Sequence, residues 1–118
     1  MALVLSIGTD VVLTQTRQLI LEREGHSVIS VIDEKSLASA CEVYEFDVAV
    51  LGQGLSAKMK RRATDLVRHH CPNVKVLELH FTGPALDDAD SWLQVPAQMP
   101  QELAERVTEL SKTTKRVG

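Results

Sequence analysis

A short unbroken apolar run that ends in glycine belongs in the middle of a sheet, and Val48-Ala49-Val50-Leu51 is such a run. It sits between Asp47 and the Gly52/Gly54 pair, within the stretch EFDVAVLGQGLS that spans Glu45 to Ser56. Four consecutive apolar residues leave no polar face, so the strand they form must be covered on both sides. In open α/β sheets, ligands and chemistry collect at the carboxyl ends of such strands. Here those ends carry Gly52, Gln53 and Gly54: two backbones without side chains and one neutral amide.

Bulk properties narrow the class. With 118 residues the chain is one domain, long enough to bury a core without metal or disulfide staples. Hydrophobic residues make up 44% and charged ones 25%, the balance of a soluble globular protein. A net charge of −3 argues against general nucleic-acid binding. Cys41 and Cys71 lack any CxxC or Cys/His ligand spacing, and are read as buried or free thiols in a reducing compartment. There is no charged leader, and no stretch approaches the roughly 18–20 apolar residues of a membrane span. A cytoplasmic location is expected.

Around the central run the chain alternates between strand and helix patterns. Ala2 to Ile7 is a first strand closed by Gly8. Thr9 or Asp10 caps a helix that runs to Glu24, with Leu13, Ile20 and Leu21 among its apolar residues and Gly25 as its stop. Val28 to Ile32 is a β-branched second strand. Asp33 or Ser36 caps a second helix to about Tyr44, with Leu37, Ala40, Cys41 and Tyr44 at helical spacing. Ser56 opens a basic helix to about His70, in which Leu55, Met59, Ala63, Leu66 and Val67 share a face. Pro72 and Asn73 break it. Val74 to Leu79 is a fourth strand, with Val74, Val76 and His80 on one side and Leu77 and Leu79 on the other. Thr82 to Asp90 holds at most one helical turn. Ser91 to Val95 is a fifth strand ended by Pro96, and Gln101 to Lys112 a last helix with Leu103, Ala104, Val107 and Leu110 as its core stripe. The domain therefore covers residues 1–112, and 113–118 form a frayed tail.

Such alternation with short loops means a parallel sheet with right-handed crossovers and helices on both faces. Five strands in so short a chain give the flavodoxin-like order 2-1-3-4-5. The first and last helices should then share one face, and the second and third the other. Leu5, Ile7, Val48, Val50, Val76 and Leu77 should be among the most buried residues.

The chain resembles the receiver domains of two-component response regulators, the CheY-like family, over nearly its whole length. The resemblance rests on Leu3–Ile7, on LEREGHSV from Leu21 to Val28, on FDVAVL, on the basic third helix, and on Trp92-Leu93-Gln94-Val95-Pro96 before the last helix. Receivers carry an acidic pair after strand one, a phospho-accepting Asp after strand three, Ser or Thr after strand four, and Lys-Pro after strand five. The resemblance carries those positions onto Gly8 and Thr9, then Gly52, then His80, then Val95-Pro96. Gly52 has no oxygen to accept a phosphoryl group. Gly8 and Thr9 supply no carboxylate for Mg2+, and Asp10 next door is a single one. His80 and Val95 replace the groups that would read a phosphate. With every position lost while the hydrophobic pattern stays in register, the resemblance implies a degenerate or pseudo-receiver with a short or missing fourth helix. It also implies a cis Val95–Pro96 bond, at the pair matching the receivers' Lys-Pro.

The expected role is a non-enzymatic signalling module that works by protein contact, with no cofactor, no metal and no Asp phosphorylation. Its partner would be a sensor kinase or an output protein, with homodimerisation as a further option. The alternative is a domain that binds a small ligand or anion at the strand ends through the Gly8–Thr9 and Gly52–Gly54 amides. A phosphotransfer protein using cysteine or histidine is a third reading, resting on the position of His80 alone. Candidate contact residues are Trp92, Lys58, Arg61 and Arg62. Lys58, Lys60, Arg61, Arg62, Arg68, His69 and His70 are otherwise explained as a solvated helix face. Adjacent His69 and His70 cannot point the same way on a helix, which argues against a metal pair. Cys41 and Cys71 are read as inert buried thiols, Thr9, Thr14 and Ser56 as helix caps. Trp92 fits either an interface aromatic or a core residue.

Overall fold

A computed structural model describes residues 2–95 and 100–113. Its elements are β1 (Leu3–Ile7), α1 (Val11–Arg23), β2 (Ser27–Val31), α2 (Glu34–Val43), β3 (Val48–Leu51), α3 (Ala57–His70), β4 (Lys75–His80), β5 (Ser91–Gln94) and α4 (Pro100–Thr113). The five strands form one sheet in the order β2-β1-β3-β4-β5, and every pairing is parallel. This is the flavodoxin-like arrangement that the alternation predicts. Pro96 and residues 114–118 lie outside the described residues, and so do the expected cis bond and most of the tail.

The helix starts follow from side chains that accept orphan backbone N–H groups. Asp10 accepts from Leu13 N, Ser56 from Met59 N, and Asp33 and Ser36 form a reciprocal capping box. Thr9 and Thr14 are not caps. Thr14 lies one turn into α1 and donates its hydroxyl to Asp10 O at 2.8 Å. Gly25 ends α1 with φ of 92°, a left-handed turn that a side chain would strain.

Strand alternation divides the core into two layers. Leu5, Ile7, Ala49, Leu51 and Val76 face α2 and α3. Val4, Val48, Val50, Leu77 and Leu79 face α1 and α4. Leu5, Val48, Val50, Val76 and Leu77 are fully buried and Ile7 nearly so, as the strand pattern predicts. Each such side chain contributes about 1.5–3 kcal/mol on leaving water, enough to fix the register.

Two helices bury something other than their apolar residues. In α1 the stripe facing the sheet is Thr14, Arg17 and Leu21, while Val12 and Leu19 are 70% and 68% exposed. Leu13 is exposed too, and Ile20 only partly packed. In α3 the stripe of Ala63 and Val67 also carries Lys60 and Thr64. Lys60 is thus not part of a solvated basic face: it is buried, its ammonium 2.8 Å from Glu78 Oε2 and donating to Leu79 O.

Between β4 and β5 the described chain contains no helix. Residues 81–90 are held by polar groups instead, the buried Glu78 foremost. Glu78 accepts backbone N–H bonds from Ala85 at 2.7 Å and Leu86 at 2.9 Å. Asp90 accepts from Val76 N, and Arg68 binds Asp88 and Asp90 from outside. Leu86 and Ala89 then close the α2/α3 core layer.

Candidate functional site

At the carboxyl ends of β1 and β3 the chain leaves the sheet at Gly8 and Gly52, and Gly52 N donates to Ile7 O at 2.7 Å. Gly8 lies two residues past Ser6, and Gly52 two past Val50, so both would point a side chain toward α1. That space is filled. A Cβ on Gly8 would meet Thr14 Oγ1 at 2.7 Å and Arg17 Nη1 at 3.3 Å. On Gly52 it would meet Ile7 O at 2.9 Å and the same Arg17 nitrogen at 3.0 Å. The guanidinium of Arg17 therefore lies over both glycines. It also donates from Nη2 to Gln53 Oε1 on the loop after β3.

Arg17 is only 8% exposed. Burial pulls its pKa below the ordinary guanidinium value, and the charge of Asp10 pulls the other way. Arginine nevertheless stays charged under any ordinary condition. Asp10 Oδ1 is itself engaged in capping α1. None of the ion pairs among the described residues includes Arg17.

The predicted positions divide into three groups. Gly8 and Gly52 come together under Arg17, and Thr9 Oγ1 lies 3.6 Å from where a Cβ on Gly54 would stand. His80 and Val95 are joined across the sheet edge by Val95 N donating to His80 O at 2.8 Å. His80 Nδ1 is sealed from solvent and has no hydrogen-bond partner among the described residues. The contact candidates lie elsewhere. Lys58 and Arg61 are exposed, and Arg62 pairs with Glu34 of α2 at 2.9 Å. Trp92 is 37% exposed and donates Nε1 to Leu86 O at 3.0 Å, so it is neither a free surface ring nor a core residue. Cys41 and Cys71 are buried, unbridged thiols, and burial first, with Cys71 second, pushes Cys41 up to about 11.

Mg2+ takes hard oxygen ligands, carboxylates above all. Gly8, Thr9 and Gly52 supply no carboxylate, Asp10 is turned to its helix cap, and the cationic Arg17 faces the strand ends. The residues present do not fit that ion.

Arg17 was not among the predicted site residues, and Gln53 entered only as the neutral amide between Gly52 and Gly54. A signal for Arg17 exists: counting back from Leu21 by four and seven gives Arg17 and Thr14, a helical stripe the scattered apolar residues of α1 obscure.

No family model and no curated protein matches the chain. Solved structures do. The chemotaxis response regulator CheY4 of Vibrio cholerae superposes with a TM-score of 0.78 at 20% identity, over 93% of this chain and 98% of that one. A receiver domain protein (CheY-like) from Methanospirillum hungatei gives 0.82 at 18% identity, over 97% and 96%. The signal receiver domain of a histidine kinase from Syntrophus aciditrophicus gives 0.84 at 15%, over 100% and 96%. This chain has the fold of the response regulator receiver domains, with an arginine and two glycines at the ends of its first and third strands.

Proposed function

We propose that this chain is a receiver-like signalling module that acts through protein contact and without phosphorylation of an aspartate. The observation that carries the reading is Arg17 packed over Gly8 and Gly52, its Nη1 3.3 Å and 3.0 Å from where a Cβ on each glycine would stand, so that neither strand end presents a carboxylate. Catalysis of phosphoryl transfer onto the domain needs an acceptor oxygen and an electrostatic clamp on the transferred group. Gly52 supplies no side-chain oxygen. A site without an acceptor oxygen suits a domain whose contact surface is always presented, with a sensor kinase or output protein as the partner class.

The test compares complex formation with and without a phosphodonor. Purified chain is incubated with acetyl phosphate and Mg2+, and binding to the dimerisation domains of sensor kinases from the same genome is followed by light scattering. Binding that is unchanged by the donor supports the reading. Association that appears only after donor treatment would sink it.

A further inference from the structure

We propose that Arg17 makes the strand ends of β1 and β3 a receptor for a small oxyanion, a phosphate or a carboxylate, bound without covalent attachment. This inference stands apart from the contact reading above. It starts from an electrostatic imbalance. A buried charge is expensive unless paired and hydrogen-bonded. Arg17 is 8% exposed, yet its one hydrogen bond among the described residues goes to the neutral amide of Gln53. The residues outside the description, Met1, 96–99 and 114–118, contain no Asp or Glu to supply a counter-charge. The one carboxylate that acts on Arg17 is Asp10, and it forms no ion pair with the guanidinium.

The guanidinium is also reachable. Arg17 keeps 8% of its surface exposed, and its Nε and Nη1 make no hydrogen bond to described residues. A planar guanidinium with unused N–H donors on Nε and Nη1 is a protein group well suited to holding a carboxylate or phosphate. Gly8 and Gly52 lie against it, without side chains, and leave backbone close to the charge.

The experiment titrates the intact chain with sodium phosphate, and separately with sodium acetate, against sodium chloride at matched ionic strength. Amide shifts of Gly8, Gly52, Gln53 and Gly54 and the Arg17 Nε–H resonance are followed by NMR, with thermal stability as the second readout. A saturable change at these groups with phosphate or acetate, absent with chloride, supports the site, and the stronger of the two names the anion. Binding the folded state alone must also raise the melting temperature with anion concentration. Arg17→Met is expected to weaken the response by about tenfold or more, the loss of a charge-assisted contact. Should that variant fail to fold, Gly54→Asp serves: Gly54 is exposed and its Cβ position is 3.6 Å from the nearest side chain. A carboxylate there repels the anion or competes with it for Arg17, and weakens binding either way. The proposal is overturned if chloride gives the same shifts, if the shifts centre on Lys58 and Arg61 of α3, or if Arg17→Met responds as the parent does.

Discussion

Arg17 Nη1 stands 3.0 Å from the point a Cβ on Gly52 would occupy, and Ile7 O stands 2.9 Å from it on the backbone of the neighbouring strand. Real Cβ contacts are not that short, and one of the two obstacles is a fixed backbone oxygen. Gly52→Ala should therefore destabilise the fold by about 1–3 kcal/mol, the range for overpacking a filled interior. Gly54→Ala is the control. Its Cβ meets only Thr9 Oγ1 at 3.6 Å and its φ is not positive, so the change in stability should stay within about 1 kcal/mol, toward stabilisation. Urea midpoints of the two variants decide. Equal midpoints would show that the guanidinium gives way freely.

The same crowding bears on phosphodonors. Acetyl phosphate with Mg2+ should leave the intact mass of the chain unchanged, because neither Gly8 nor Gly52 carries a side-chain oxygen and Asp10 is held at the start of α1. Trp92, bonded to Leu86 O, reports on the β4–β5 connection and should show no donor-dependent change in fluorescence. A stoichiometric, Mg2+-dependent covalent adduct on the chain would falsify the unphosphorylated reading.

Strand order was legible in the sequence because apolar runs and breakers set it locally. Val48–Leu51 could only be a two-sided strand, and Gly25, Ser56 and Pro72 punctuate the helices around it. The site was legible only as an absence, at Gly8, Thr9 and Gly52. Its occupant escaped because charge was equated with exposure. Arg17 and Lys60 each lie on the buried stripe of their helix, at helical spacing from Leu21 and Val67, and each finds an acceptor only in the fold. Glu78 shares the strand face of Val76 and was passed over for the same reason. No local pattern announces a pairing between α3 and β4, since its partners are eighteen residues apart.

Acid should loosen the end of the molecule around His26. Its Nδ1 accepts from Ala2 N at 3.2 Å, so the ring is neutral, with Nε2 facing Thr108 Oγ1 at 2.9 Å. Burial lowers its pKa first of all, against an opposing pull from Glu24. A histidine depressed in the fold binds its proton more readily when unfolded. Its contribution is therefore complete above the unfolded value of 6.5 and is lost as pH falls below it. Urea midpoints measured between pH 7.5 and 5 should decline for the parent and decline less for His26→Gln. Parallel curves for the two proteins would remove His26 from the account.

The buried Lys60–Glu78 pair should behave as a clamp on the β4–β5 connection. Glu78 is fully buried, and its two oxygens accept from Lys60 Nζ, Ala85 N and Leu86 N. Desolvation raises its pKa, but the bonds from Lys60, Ala85 and Leu86 together outweigh that and hold it below the ordinary value of 4.5. A depressed carboxylate gives its stability above the unfolded pKa, so this contribution is present at neutral pH and lost as pH falls below about 4.5. Lys60→Met leaves a buried carboxylate without its cation and should cost about 3–5 kcal/mol. Glu78→Gln strands the ammonium and should cost a similar amount. The double variant leaves neither charge, and its amide oxygen still accepts from Ala85 or Leu86, so it should be more stable than either single one. Trp92 supplies the local readout. Because its Nε1 bonds Leu86 O, loosening of the connection in Glu78→Gln should red-shift its emission before global unfolding begins. If Lys60→Met matches the parent in urea, the pair is not what replaces the missing helix. The packing of Leu86 and Ala89, with the bonds of Asp90 to Val76 N and of Arg68 to Asp88 and Asp90, must then hold residues 81–90.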